Sequence, residues 1–186
     1  HEVDAVIETA PRRLHGVEGR FVVMYVGAHG LANDLWQVLD AAEHLSTRED
    51  IVFILVGDGN ERTRLGEAIL NRGLKNVKLL GARPKSEMCG IINSADVCLA
   101  VLKPLPGFKT VYPNKLFDYM SCGKPIIVAI DGEARRLVEE GHCGLYSPPG
   151  DPLALRDAIL QLAKTPTALK KMGESGLRFV RAHFDR

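Results

Sequence analysis

The sequence predicts an α/β protein in which helices cover both faces of one parallel, Rossmann-like sheet. Three observations lead to this fold class. Short, continuous apolar segments such as 21–26 and 51–56 have the pattern of strands that are buried on both faces. Segments with apolar residues at helical spacing lie between them. Because parallel strands need long crossover connections, the regular alternation of strands and helices favours a parallel sheet.

The first half of the chain shows this alternation clearly. Residues 1–20 have no sustained periodicity, and we interpret them as an interdomain lead-in. Strands are predicted at 21–26, 51–56 and 77–80, each followed by a turn that contains glycine. The helices between them are predicted from Leu31 to Leu45, around Leu65 and Ile69 with an end near Gly73, and from an N-cap at Ser86 through Ile92.

The second half continues the same pattern. Strands are predicted at 97–101, 125–128 and 143–146. A loop with two prolines and a glycine fills 103–111 before the next helix. The helices are predicted over 113–122, over 133–140, from Pro152 to Leu162, and from about Ala168 towards His183.

Composition limits the function classes. The chain has 186 residues, of which 46% are hydrophobic and 25% are charged, as in an ordinary globular domain with a sizeable core. The formal net charge is +1 and no basic run occurs, so no nucleic-acid partner is predicted. We find no apolar segment long enough to span a membrane and no signal peptide, and we expect a cytoplasmic protein.

Cysteine and histidine spacing gives no metal site. Cys89, Cys98, Cys122 and Cys143 lack the close pairing of a zinc or redox site. The six histidines show no ligand spacing either. We therefore predict no metal, and we interpret the thiols as reduced and mostly buried.

The helix predicted over 113–122 is the element around which a site is most easily built. Pro113 fits the first turn of a helix, because its missing N–H would be unpaired there, and Gly123 fits the end. At about 100° per residue, an apolar face and a polar face result. The apolar face holds Leu116, Phe117 and Met120, and the polar face holds Asn114, Lys115 and Asp118.

The polar face of this helix suits a nucleotide. Free N–H groups and the helix dipole at its N-terminus favour an anion. We predict a diphosphate near Lys115 and a ribose diol held by Asp118. The alternative is an ordinary amphipathic helix whose polar side meets water.

Loops after the strands supply further candidates, because ligands bind beyond the carboxyl ends of parallel strands. The first turn contains Gly27, His29 and Gly30, and the third contains Gly81 and Arg83. Glycine there allows close approach to a ligand, although for any single loop a tight strand-to-helix turn is the better explanation. No dinucleotide fingerprint follows the second strand, since Arg62 stands where its next glycine would be, and no P-loop occurs.

An ordered set of these segments resembles a known family. The segments are Tyr-Val-Gly-Ala-His-Gly at 25–30, Phe-Ile-Leu-Val-Gly-Asp-Gly at 53–59, Val-Lys-Leu-Leu-Gly at 77–81, Ser-Ala-Asp-Val at 94–97, the 113–125 block and Gly-Leu-Tyr-Ser-Pro-Pro-Gly-Asp at 144–151. Together they resemble the C-terminal, donor-binding half of retaining glycosyltransferases of the GT-B architecture. These enzymes are the glycosyl transferases group 1, or glycosyltransferase family 4. Within this family, the chain resembles a subgroup that is similar to fucosamine transferases.

The resemblance implies roles for particular residues. Lys115 and Asp118 would be the catalytic pair, with Asp118 on the nucleotide ribose. Thr110 stands where the family has a second glutamate, and the segment 31–34 replaces a basic pair of the family. Lys115, Arg83 or Lys109 could supply the missing cations. The donor-binding set that follows is Gly27, His29, Gly30, Gly81, Arg83, Lys109, Thr110, Asn114, Lys115, Leu116 and Asp118.

The resemblance also implies an activity and a domain organisation. The parent protein would transfer a hexose-type sugar, with retention, from a nucleotide-diphosphate donor to a lipid-linked or polysaccharide acceptor. A UDP-sugar is favoured over a GDP-sugar, with no metal and no further cofactor. Residues 1–20 would be the lead-in, 21–165 the nucleotide-sugar-binding domain and 166–186 a closing helix.

The acceptor domain of such a protein would precede this chain. The parent's N-terminal domain would then be a partner, and the parent could associate peripherally with the inner face of the cytoplasmic membrane. The isolated chain, which begins without methionine, is expected to be a fragment that is inactive alone. A non-catalytic nucleotide-binding module and a sugar-nucleotide epimerase of the same two-domain plan are the alternatives.

Overall fold

A six-stranded parallel sheet forms the centre of the protein in the computed structural model, which describes residues 16–184. The strands lie in the order β3-β2-β1-β4-β5-β6, and every neighbouring pair is parallel. This confirms the predicted fold class. The strands are β1 Phe21–Val26, β2 Ile51–Val56, β3 Val77–Leu80, β4 Val97–Val101, β5 Ile126–Ala129 and β6 Gly144–Tyr146.

Seven α-helices connect and close this sheet in the described part of the chain. Two short 3-10 turns, Leu31–Asn33 and Pro106–Thr110, precede α1 and α4. No helix within residues 16–184 combines the length and apolar character needed to cross a membrane. The helices are α1 Leu35–His44, α2 Arg62–Asn71, α3 Lys85–Asn93, α4 Lys115–Ser121, α5 Glu133–Glu140, α6 Pro152–Ala163 and α7 Pro166–Phe184.

The sheet separates two hydrophobic layers, because successive side chains of a strand point to opposite faces. Val22 and Met24 of β1 face the layer formed with α3, α4 and α5. Val23 and Tyr25 face the layer formed with α1, α2 and α6. Helices on both faces explain why the central strands are apolar throughout.

Two helix starts differ from the sequence prediction. Leu31 does not belong to α1, since Asp34 takes a left-handed conformation (φ 46°) between the 3-10 turn and the helix, which leaves Leu31 exposed. Ser86 is not the N-cap of α3, because the helix already begins at Lys85, after the extended Pro84. Proline in the preceding position fixes the chain before the helix without needing a capping side chain.

The segments predicted at the two ends of the chain are only partly covered by the described residues. The lead-in predicted over 1–20 lies mostly outside the described residues, which begin at Gly16. The last helix is slightly longer than predicted, since Pro166 starts it at a position where its missing N–H costs nothing. Residues 185–186 of the predicted closing segment also lie outside the described residues.

The four cysteines are free, and three of them are buried or half-buried, as predicted. Cys98 and Cys143 are buried, Cys122 is half-buried and Cys89 is exposed. The Sγ atoms of Cys89 and Cys122 lie 3.8 Å apart. This contact is not visible as close spacing in the sequence, because α3 and α4 lie on the same face of the sheet and bring together two positions that are distant in sequence.

Candidate functional site at the carboxyl ends of the strands

The loops after β1 and β2 form one rigid unit at the carboxyl edge of the sheet. The Gly27 N–H donates to the Val56 carbonyl at 3.0 Å, and the His29 N–H donates to the Asp58 carbonyl at 2.9 Å. The His29 carbonyl in turn accepts from the Glu61 N–H at 2.9 Å. Backbone hydrogen bonds therefore fix both loops.

Glycine is required where these two loops touch. A Cβ atom on Gly57 (φ 142°) would clash with the carbonyl oxygen of Gly27. A Cβ atom on Gly59 would lie 2.6 Å from the carbonyl oxygen of His29. The Gly-Asp-Gly segment thus serves close packing of the two loops.

Lys115, the first residue of α4, reaches over the end of β1. Its Nζ donates to the hydroxyl of Tyr25 at 2.8 Å and lies 4.1 Å from the centre of the Tyr25 ring. The Tyr25 hydroxyl itself donates to the Ala28 carbonyl at 2.8 Å. A neutral hydroxyl and an aromatic face therefore solvate the ammonium group.

The Lys115 ammonium has no anionic partner among the described residues. Within residues 16–184, no carboxylate lies within ion-pair distance of its Nζ. Burial lowers the pKa of Lys115 from 10.5 to about 8, because a charged amine loses hydration there. A mostly buried cation without a counter-ion is a place where a bound anion would be stabilised.

The buried Tyr119 holds α4 in this position. Its hydroxyl donates to the Leu99 carbonyl at 2.9 Å and accepts from the Val26 N–H at 3.1 Å. It thereby bridges β1 and β4 just beyond their last paired residues, Tyr25 and Leu99. Phe117 was predicted on the buried face of the helix, but Tyr119 is buried and Phe117 is half-buried against Phe184.

Arg62, at the start of α2, is a second cation in this region. Its Nε is buried and has no hydrogen-bond partner within the described residues. Its Nη2 lies 3.7 Å from the position of a Cβ on Gly81. In the sequence, Arg62 stands out only because it occupies a glycine position of the dinucleotide fingerprint. Its place three residues after Gly59, at the start of the helix that follows β2, was the available signal.

His29 is buried, and the charges of both cations act on it. Both of its ring nitrogens lack hydrogen-bond partners among residues 16–184. Burial lowers the pKa of His29, and the charges of Arg62 and Lys115 lower it further while Asp58 opposes them. The imidazole is therefore neutral near pH 7 and adds no positive charge to the site.

Two cavities open at this edge of the sheet. One, of about 290 Å³, lies at the ends of β1, β2 and β3 and is lined by Gly27, Gly57, Asp58, Arg83 and Met88, among others. The other, of about 240 Å³, lies near the ends of β4 and β5, and Lys103, Lys109 and Asp131 line it. A larger groove of about 800 Å³ lies between α4 and α7 and is lined partly by aromatic residues.

The structure brings some predicted residues together and separates others. Gly27, His29 and Lys115 meet at the end of β1, whereas Arg83 and Lys109 line different cavities. Gly30 and Gly81 lie in the loops after β1 and β3. Thr110, Asn114 and Asp118 are exposed. Lys115 and Asp118 therefore differ in burial although they share the predicted polar face.

Leu116 lies on the apolar face of α4, as predicted, whereas the N–H groups at the start of this helix are not free. The side chain of Leu116 is fully buried in the core, and its N–H donates to the Pro113 carbonyl at 3.1 Å. The Phe117 N–H donates to the Asn114 carbonyl at 3.0 Å. Because these N–H groups are already bonded, the side chain of Lys115 is the main source of positive charge here.

Comparisons with known proteins identify the family. The family described as glycosyl transferases group 1 matches residues 20–165. The chain is 26% identical over 156 residues to an uncharacterized glycosyltransferase of Methanocaldococcus jannaschii, covering 84% of this chain and 42% of that protein. It is also 26% identical over 166 residues to the alpha-D-kanosaminyltransferase of Streptomyces kanamyceticus, covering 88% and 42%. The chain thus spans about two fifths of the length of these relatives.

Solved structures agree with this result at the level of the fold. Anabaena HepE in complex with UDP-glucose has a TM-score of 0.85 and 24% identity, with 97% of this chain and 49% of that chain covered. The C-terminal domain of a glycosyl transferase group 1 family protein from Francisella tularensis has a TM-score of 0.78 and 14% identity, with coverage of 95% and 92%. The resemblance found in the sequence is confirmed, and the chain belongs to the glycosyl transferases group 1 family.

Proposed function

We propose that this chain binds the nucleotide-diphosphate sugar of a glycosyltransferase, with the diphosphate at Lys115. The observation that carries this proposal is the mostly buried ammonium of Lys115, which has no carboxylate partner within residues 16–184. The Nζ of Lys115 lies beside Gly27, in the loop that follows β1. Ligands of parallel sheets bind at this edge.

The positive charges at this edge suit the chemistry of sugar transfer. Breaking the bond between the sugar and the diphosphate leaves negative charge on the departing diphosphate. A preorganised cation that meets this charge stabilises the transition state, and one such donor contributes about 3 kcal/mol. We assign this role to Lys115 and a supporting role to Arg62, whose buried Nε is without a partner among the described residues.

The donor is proposed to be a UDP-sugar rather than a GDP-sugar. The support is that Anabaena HepE, which has the same fold, has been solved in complex with UDP-glucose. The cavity beside Gly27, Gly57 and Arg83 offers space for a base at the ends of β1 to β3. Asp118 is proposed to hold the ribose, since a carboxylate accepts hydrogen bonds from two neighbouring hydroxyls.

Transfer itself is proposed for the whole protein. The chain covers 42% of the length of the two relatives described above, and we propose that the rest of such a protein binds a lipid-linked or polysaccharide acceptor. The sugar would be a hexose type, transferred with retention. We expect the isolated chain to bind nucleotide and to transfer sugar at a negligible rate; efficient turnover by this chain alone would contradict that expectation.

Calorimetric titration tests the binding proposal. Lys115→Met keeps most of the aliphatic side chain and removes the charge. We expect UDP binding to weaken by about 1.5–3 kcal/mol, roughly 10- to 150-fold, with uridine binding almost unchanged. Lys164→Met, which alters an exposed lysine at the end of α6, is the matched control and should bind UDP like the parent.

The same titration separates the nucleotides. Comparing UDP with GDP and ADP tests the proposed base. If Lys115→Met binds UDP as the parent does, the ammonium is not at the diphosphate and the proposal is wrong.

A further inference from the structure

Cys89 and Cys122 form a thiol pair at the surface of the molecule. Cys89 lies in α3 and is exposed, while Cys122 follows α4 directly and is half-buried. Their Sγ atoms are 3.8 Å apart. The remaining cysteines, Cys98 and Cys143, are buried, so oxidants in solution reach Cys89 first.

The surroundings of the pair allow a bond to form. Two sulfurs 3.8 Å apart are in van der Waals contact, and they must approach to about 2.05 Å to form a disulfide. Each of the two cysteines is followed in the chain by a glycine. Gly90 follows Cys89, and a Cβ there would meet nothing within 4 Å; Gly123 follows Cys122 in a left-handed conformation (φ 66°). Small adjustments of the backbone are therefore possible at both positions.

We propose that Cys89 and Cys122 are a peroxide-responsive pair, in which Cys89 is oxidised and Cys122 resolves it as a reversible disulfide. The Cys89 thiolate attacks one oxygen of hydrogen peroxide, the O–O bond breaks, and the released hydroxide takes a proton to become water. Cys89 is then a sulfenic acid. The Cys122 sulfur attacks the Cys89 sulfur, the S–O bond breaks, and hydroxide leaves as water with the Cys122 proton.

The two reaction steps balance in atoms and electrons, and they occur in a defined order. Two thiols lose two electrons and two protons, and one peroxide is reduced to two waters. Burial and the neighbouring Cys89 raise the pKa of Cys122 to about 12, so Cys122 keeps its proton until the second step. The Asn93 side-chain amide lies 3.6 Å from the Cys89 sulfur, with its N–H directed at it, and thus supports negative charge on the residue that reacts first.

The pair would protect the protein from irreversible oxidation. A sulfenic acid without a resolving thiol proceeds to sulfinic and sulfonic acids, which ordinary thiols cannot reduce. The disulfide would also join α3 to the end of α4, the helix that begins with Lys115.

Mass spectrometry and thiol titration test this inference. After limited hydrogen peroxide, the parent protein should lose two of its four cysteine thiols, yield a cross-linked peptide containing Cys89 and Cys122, and recover all thiols with dithiothreitol. Cys122→Ser should instead give a sulfenic acid at Cys89 that dimedone traps, followed by sulfinic acid that dithiothreitol does not reverse. Cys98→Ala is the control and should form the same cross-link as the parent.

Three outcomes would overturn the inference. The first is a parent protein in which Cys89 stays dimedone-reactive while Cys122 remains a free thiol. The second is a disulfide between two chains through Cys89, seen as a dimer on a non-reducing gel. The third is a parent protein that accumulates sulfinic acid at Cys89 as fast as Cys122→Ser does.

Discussion

A Cβ atom on Gly27 would lie 2.5 Å from the Nζ of Lys115. The ammonium therefore occupies the space that any other residue at position 27 would fill. Gly27 also has a φ of 152°, a conformation that residues with side chains rarely adopt. The first glycine of this loop is thus needed both for the backbone and for the approach of the lysine.

Gly27→Ala should damage binding as well as stability. The new methyl group must displace Lys115, and the backbone of residue 27 becomes strained. The strain is expected to cost about 1–3 kcal/mol. Urea unfolding measures the loss of stability, and UDP titration measures the loss of affinity. Gly107→Ala is the matched control, because a Cβ there meets nothing within 4 Å and φ is not positive; equal effects of the two variants would contradict the assigned contact.

Lys115→Met should make the unliganded protein more stable at pH 7. The native pKa of about 8 lies below the ordinary 10.5, so the unfolded chain holds this proton more tightly and the native state carries the cost of a buried charge. That difference corresponds to at most roughly 3 kcal/mol, and remaining exposure to water reduces it. The Tyr25 hydroxyl keeps its bond to the Ala28 carbonyl in the variant.

The pH dependence of unfolding checks the sign. Between pH of about 8 and 10.5 the unfolded state binds more protons than the native state, so this group's contribution to stability rises with pH. The advantage of Lys115→Met in urea unfolding should therefore be largest at pH 7 and shrink above pH 8. A variant that is less stable than the parent at pH 7 would show that the ammonium is well solvated in the folded protein.

UDP affinity should fall as the pH rises through the pKa of Lys115. Only the protonated amine attracts the diphosphate, and in the free protein half of it is neutral near pH 8. Binding of UDP raises the pKa of Lys115. At pH 8 to 8.5 the Lys115 amine should therefore take up protons from solution when UDP binds. Calorimetry in two buffers of different ionisation enthalpy measures the uptake. Lys115→Met should show none, and persistence of the uptake in that variant would assign it to another group.

The sheet could be predicted because its strands are apolar over their whole length. β2, Ile51–Val56, is fully buried, and such a segment has few alternatives to a central parallel strand. The first residues of α1 and α3 were harder to predict. They depend on backbone conformations at Asp34 and Pro84, which leave no periodic signal in the sequence.

The site was only partly predictable. Lys115 was found from helical spacing, but its contact with Tyr25 joins positions 90 residues apart. Tyr119 was missed because an aromatic residue on a predicted helix does not show that its hydroxyl will bridge two strands. The Cys89–Cys122 pair was missed because its two positions are also distant in sequence. Such contacts arise when elements pack on the sheet, and a single sequence does not record that packing.

Asp118 provides the last test, since it is exposed and lies one turn after Lys115 on α4. If it holds the ribose, Asp118→Asn should weaken uridine and UDP by the same factor, about 10-fold or more, because both ligands carry the diol and a charge-assisted bond is lost. Lys115→Met, in contrast, should affect UDP alone. Glu67→Gln, at an exposed position on α2, controls for the loss of one negative charge. Calorimetric titration of both ligands decides the matter: if Asp118→Asn weakens UDP but spares uridine, Asp118 acts on the diphosphate end of the site, and if it changes neither, its carboxylate faces water.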